Sequence, residues 1–300
     1  MNPPAQNAKA PAVSLVIRSG SVKCAAAIGV VSALAEAGIG IERVVGCSAG
    51  AIFASLVALG YGSDEARDAT TRLWTKDLTS ARNTMGLLRV IAPRLFGFRA
   101  DNFSLRDDTP IDSRLRGFFG DRKIEDAGIP LHITATDFSN GELVEIHRGS
   151  IADAIRASVS LPFAFRPVRH QGKLLVDGYL ADPLPISVAM KHGARVIVAV
   201  GFESPYQEQV RSAGRFAFQL SAIMSNNLLK SRFAFHSIAH HSEMITIIPE
   251  FTQRIRLFDT AKVPYIIEEG EKAAREQLPY LRELLAGEAA ALGSIPARAA

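Results

Sequence analysis

The chain has 300 residues, 48% of them hydrophobic, enough for one large core or two small domains, and one is the expectation. Charged residues at 21% and aromatics at 7% exclude a disordered or fibrous chain. A formal net charge of +4 and an isoelectric point near 9.2 tilt the surface towards basic without naming a partner.

Residues 1–12 carry three prolines and no apolar run, so they read as a flexible leader and not a secretory signal. VSLVIR at residues 13–18 is a strand-like run, ended by Ser19 and Gly20. An alanine-rich helix is predicted over residues 22–37, with Gly38 as its stop. IERVVG then leads into Ser48, and AGAIFASLVALG reads as a buried helix ended by Gly60. Strand, helix, strand, helix in short order predicts parallel βαβ units.

Further strands are predicted at residues 131–137 and 141–147, the second after the turn Ser139-Asn140-Gly141. ADAIRAS is a short helix, and KLLVDG a strand ending at Asp177. ISVAMKHG is a helix stopped by Gly193, ARVIVAV an apolar strand, and MITIIPE (244–250) a late strand. Residues 264–286 form an amphipathic helix, and the tail 288–300 frays. One α/β domain over residues 13–287 follows. No apolar stretch reaches the roughly 18 residues of a membrane-spanning helix, so a soluble cytoplasmic protein is expected.

Gly46-Cys47-Ser48-Ala49-Gly50 fits G-x-S-x-G, a nucleophile elbow. A serine on a tight strand-to-helix turn is pushed out of the sheet, and Gly46 and Gly50 allow that approach. The helix that follows aims its positive end at any oxyanion formed there. The plainer alternative is a tight turn made of two glycines and a serine.

A serine hydroxyl needs a base. Ser48, Asp177 and His192 stand in a usable order, but His192 in KHGA ends a helix, where capping is the simpler role. His236, His240 and His241 have no ligand-like neighbour, so they too read as surface or capping residues. Asp177 is the better candidate, at the end of a buried strand where parallel sheets place functional groups. An Asp-Gly turn explains the same residue equally well. No metal, cofactor or nucleic-acid site is expected. The two cysteines, Cys24 and Cys47, are too few for a disulfide framework, and Cys47 reads as a small packing residue.

Four stretches together resemble the patatin-like phospholipases, especially the bacterial branch similar to neuropathy target esterase. They are SGSVKCAAAIGVVSALAEAGI, VVGCSAGAIFAS, ITATDFSNGELVEIHRGSIADAIRASVSLPFAFRPV and GKLLVDGYLADPLPISVAMKHGA, in family order across most of residues 13–200. The resemblance implies a three-layer α/β/α sandwich with a central, mostly parallel sheet. It also implies a Ser-Asp dyad without histidine, in which Ser48 is the nucleophile and Asp177 its base. The expected reaction is hydrolysis of a lipid ester through an acyl-enzyme. Acyl transfer and thioester cleavage are alternatives, as is a degenerate protein that only binds lipid or a partner.

The glycine-rich turn departs from the family pattern. Arg18, Ser19, Gly20, Ser21, Val22, Lys23 and Cys24 stand where the family places mostly glycines, and only Gly20 and Lys23 match. Gly20, Ser21 and Val22 are the expected oxyanion hole, through their backbone N–H groups. If that turn needs positive φ, side chains there cost of order 1 kcal/mol or more each.

Two segments mix apolar and basic residues. Residues 84–103 carry Leu87, Leu88, Val90, Ile91, Leu95, Phe96 and Phe98 among Arg89, Arg94 and Arg99, and suit peripheral contact with a membrane. Residues 215–241 have similar composition, but packing of their apolar face on the domain is the favoured reading. Pro162, Phe163 and Phe165 are expected to line the core near the pocket.

Overall fold

The computed structural model describes residues 11–79, 81–202, 210, 213–239 and 243–293. Residues 1–10 of the expected leader and 294–300 of the expected tail lie outside them. The strands are β1 (Ala12–Ile17), β2 (Gly40–Cys47), β3 (Leu131–Asp137), β4 (Leu143–Ile146), β5 (Val168–His170), β6 (Lys173–Asp177), β7 (Val196–Val200) and β8 (Glu243–Ile247). The helices are α1 (Ala26–Glu36), α2 (Ala49–Ala58), α3 (Ser63–Leu73), α4 (Thr84–Ile91), α5 (Pro93–Phe96), α6 (Thr109–Phe119), α7 (Ile151–Ser158), α8 (Ile186–Lys191), α9 (Ala213–Ala239) and α10 (Val263–Gly293).

All eight strands form one sheet, paired in the order β5-β6-β3-β2-β1-β7-β8, with β4 also on β3. The run β3-β2-β1-β7-β8 is parallel, and β4, β5 and β6 form an antiparallel rim. Alternation along a strand sends successive side chains to opposite faces. Leu15 and Ile17 pack with α1, α2, α7 and α10, while Val16 packs with Ile186, Val188 and Ala189 of α8. Because both faces are covered, β7 reads as an unbroken apolar run and β1 as one broken only by Ser14. The result is the three-layer sandwich, helices on both sides of a mostly parallel sheet.

α1 and α10 touch almost backbone to backbone. A Cβ on Gly29 would collide with the Ile267 carbonyl, and one on Gly270 with the Ala26 carbonyl. The helix expected from residue 22 opens with a 3-10 turn, Val22–Ala25, before α1. The last strand stops at Ile247, short of residue 250, and α10 runs past Gly287 to Gly293. No helix among the described residues is long and apolar enough to cross a membrane.

Candidate active site

The register of β3 brings Ser48 and Asp177 together. Along one edge of β3, β4 pairs with Ile133–Thr136. The other edge is shared, β2 taking Leu131–Thr134 and β6 taking Ala135–Asp137. β2 runs parallel to β3 and β6 antiparallel, so the two strands meet end to end. Cys47 lies opposite Thr134, and Asp177 lies opposite Ala135, the next residue. Ser48, one step beyond Cys47, therefore arrives at the carboxylate.

Ser48 has φ 54° and ψ −126°, a left-handed conformation that costs a non-glycine residue about 1–3 kcal/mol. Its surroundings hold it there. The Ser48 N–H donates to Ser158 Oγ at 2.7 Å, and the Ser48 carbonyl accepts from the Ala51 N–H at 2.9 Å. A Cβ on Gly46 would lie 2.6 Å from the Ala54 Cβ, and one on Gly50 would collide with the Arg18 carbonyl. Both glycines are required by space. The side chain is thus free of any capping duty at the start of α2, and its Oγ donates to Asp177 Oδ2 at 2.7 Å.

Asp177 is held on every side. Its Oδ1 accepts from the Tyr179 N–H at 3.1 Å, its N–H donates to the Ser160 carbonyl at 3.0 Å, and its carbonyl accepts from Thr136 Oγ1 at 2.8 Å. Only 2% of the residue is exposed, and the groups facing the carboxyl are the Ser48 hydroxyl and the Tyr179 N–H. Burial pushes its pKa from 3.8 up to about 7, against those two hydrogen bonds. That value suits a general base at neutral pH.

Sequence reasoning missed the supports. Ser158, at the end of α7, accepts from the Ser48 N–H and donates to the Thr134 carbonyl at 2.6 Å. Buried Arg156 donates to Ser160 Oγ and to Asp108 Oδ2, each at 2.7 Å, and so braces the segment that carries the Ser160 carbonyl. Both serines lie in "RASVSLP", where nothing local marks one hydroxyl above another.

The turn after β1 corrects one expectation. None of Ser19, Gly20, Ser21 and Val22 has positive φ, so the side chains at 19 and 21 carry no left-handed strain. Gly20 is needed for room, because a Cβ there would collide with the Phe202 ring. Arg18 is fully buried, and its guanidinium donates to the Phe202 carbonyl, Ser225 Oγ and Asn226 Oδ1. The Lys23 ammonium stands 5.8 Å from the Phe202 ring centre, and burial pulls its pKa down, with Arg18 beside it adding to the effect. Among the described residues, the N–H groups of Gly20, Ser21 and Val22 donate to no protein acceptor.

Other expectations are revised. His192 follows the last turn of α8, but its Nε2 meets Glu145 Oε1 at 2.6 Å and does not join Ser48 and Asp177. The His236 side chain, His240 and His241 lie outside the described residues. Phe165 is buried as expected, whereas Phe163 is 61% exposed with φ 67°, so it lines the surface. In α9, Phe216, Leu220, Ile223 and Met224 are exposed, while Ala222, Ser225 and Asn226 are buried and Leu229 packs against the core, so among the described residues the apolar face packs only in part. Ser225 and Asn226 face inward because they receive Arg18.

The model of the patatin-like phospholipase family matches residues 15–190. An uncharacterized NTE family protein of Mycobacterium tuberculosis is 31% identical over 208 residues, 69% of this chain and 54% of that protein. Patatin-like phospholipase domain-containing protein 7 of Rattus norvegicus is 29% identical over 68% of this chain and 14% of its own length. The chain thus spans about half the length of the mycobacterial relative, at 54%. Among solved structures, VipD from Legionella pneumophila superposes with a TM-score of 0.46 at 16% identity, covering 91% of this chain and 67% of VipD.

Proposed function

Since the chain belongs to the patatin-like phospholipase family, we propose that it is a lipid acyl hydrolase in which Ser48 attacks the ester carbonyl and Asp177 receives its proton. The observation that carries this reading is the 2.7 Å bond from Ser48 Oγ to a buried carboxylate. As Oγ bonds to the acyl carbon, its proton passes to Asp177 Oδ2, and negative charge collects on the carbonyl oxygen. The open N–H groups of Gly20, Ser21 and Val22, with the positive end of α2, receive that charge. Collapse breaks the ester C–O bond, and the alcohol leaves with the proton from Asp177. Water then attacks the acyl-enzyme, giving its proton to Asp177, and the fatty acid departs as Ser48 recovers its own.

The test is intact-mass spectrometry after incubation with a fluorophosphonate, with Ser48→Ala in parallel. The expected result is one adduct on the wild type and none on the variant. A wild type that stays unlabelled while a control hydrolase is labelled overturns the reading.

We also place the meeting with lipid at residues 84–103. Met85, Leu87, Val90, Ile91, Leu95 and Phe98 of α4, α5 and the following loop are exposed, Leu95 by 82%. Arg89, Arg94 and Arg99 stand among them in the same segment. Apolar side chains flanked by arginines suit an anionic bilayer.

A further inference from the structure

We propose that His132, Glu145 and His192 form a binding site for a divalent transition-metal ion of the zinc type. The three are far apart in sequence, and strand pairing assembles them. His132 of β3 lies opposite Val45, whose side chain belongs to the cluster that packs on α8. Glu145 of β4 lies opposite Thr134 of β3, two residues from His132 and so on the same face. His192 enters from the end of α8. The site therefore joins two strands and a helix end.

The geometry brings three metal-type ligands together at one point. Both imidazoles converge on one carboxylate oxygen, His132 Nδ1 at 2.7 Å and His192 Nε2 at 2.6 Å from Glu145 Oε1. One ligand atom from each residue lies within 4.8 Å of the other two. Tetrahedral zinc with bonds of about 2.0–2.2 Å separates its ligand atoms by roughly 3.3–3.5 Å. An opening of roughly 0.6–0.9 Å from those 2.6–2.7 Å contacts admits the ion. His147 Nδ1 lies farther out, 3.9 Å from the same oxygen. Imidazole with a single carboxylate favours zinc, nickel or copper over calcium or magnesium.

The His132 and Glu145 side chains are 8% and 7% exposed, while that of His192 is 31% exposed and leaves an entry from solvent. Lys191 Nζ holds the other oxygen, Oε2, at 2.8 Å. It orients the carboxylate, and its exposed stem lets the ammonium swing away as the ion enters. Bound metal ties β4 and α8 to the sheet and takes no part in the ester chemistry at Ser48.

The experiment uses the untagged full chain, stripped with EDTA and titrated with zinc chloride by calorimetry, with melting temperature read alongside. Three variants are compared: His192→Ala, Glu145→Gln, and His170→Ala as a histidine outside the cluster. Fluorophosphonate labelling, or a retained melting transition, confirms that each variant is folded. One zinc per chain, a raised melting temperature, and affinity at least about tenfold weaker in His192→Ala but unchanged in His170→Ala are expected. No binding by the wild type overturns the proposal, as does binding that His192→Ala leaves intact. Neither result bears on the role of Ser48.

Discussion

At the scale of single residues, the carboxyl of Asp177 governs what pH does. Its pKa of about 7 makes the base half-formed at neutrality, so kcat/KM for an uncharged ester should rise with pH through an inflection near that value. A profile already flat above pH 5 would oppose this. Stability moves the other way. The folded chain keeps a proton on Asp177 up to about 7, while the unfolded chain releases it near 3.8. In between, the native state binds more protons, so stability falls as pH rises across that window, by about 4 kcal/mol at most. Asp177→Asn removes this loss. Its denaturant midpoint should therefore gain on the wild type between pH 4.5 and pH 7.5.

Ser158 makes a second case. Ser158→Ala leaves the Ser48 N–H and the Thr134 carbonyl without their shared partner, costing about 1–3 kcal/mol. The strained φ of Ser48 then loses one restraint, so kcat should fall more than KM changes. Ser48 stood out through the local Gly46-Cys47-Ser48-Ala49-Gly50 pattern, whereas Asp177 read equally well as an Asp-Gly turn and was paired with Ser48 only through the family resemblance. Ser158 was not legible, because its importance lies in reaching a residue 110 positions away. Phe163 misled for a related reason: "LPFAFRP" looks like core, yet the backbone turns at Phe163 and exposes it.

Elements tell the same story at larger spacing. β3 was predicted with both ends correct, since seven consecutive buried residues bounded by turns leave little choice. β5 was missed, because three half-exposed residues carry no period and exist only through pairing with β6. The exposed apolar stripe of α9 was misread because composition alone cannot say that buried Arg18 claims the polar side of that helix. Where α1 meets α10, Gly29→Ala or Gly270→Ala should each cost about 1–3 kcal/mol by forcing backbones apart. The double variant should cost less than the sum, since one separation relieves both collisions. Chemical denaturation of the three variants checks this. Strict additivity would mean that the two glycines do not share one contact.

For the whole molecule, the proposed bilayer contact rests on the exposed face of α4 and α5. Leu95→Asp should weaken flotation with anionic vesicles by about tenfold or more, the worth of one buried leucine. It should leave hydrolysis of a short soluble ester intact. Equal flotation of both proteins would move the contact elsewhere.

The end-to-end meeting of β2 and β6 has a bearing on how the protein is made. Its dyad joins positions 129 residues apart, and the contact is closed only when β6 takes the half of the β3 edge that β2 leaves vacant. A growing chain carries Ser48 long before Asp177 has been synthesised. The proposed dyad therefore closes only as β6 pairs with β3. Fluorophosphonate labelling during refolding becomes a stopwatch for that step.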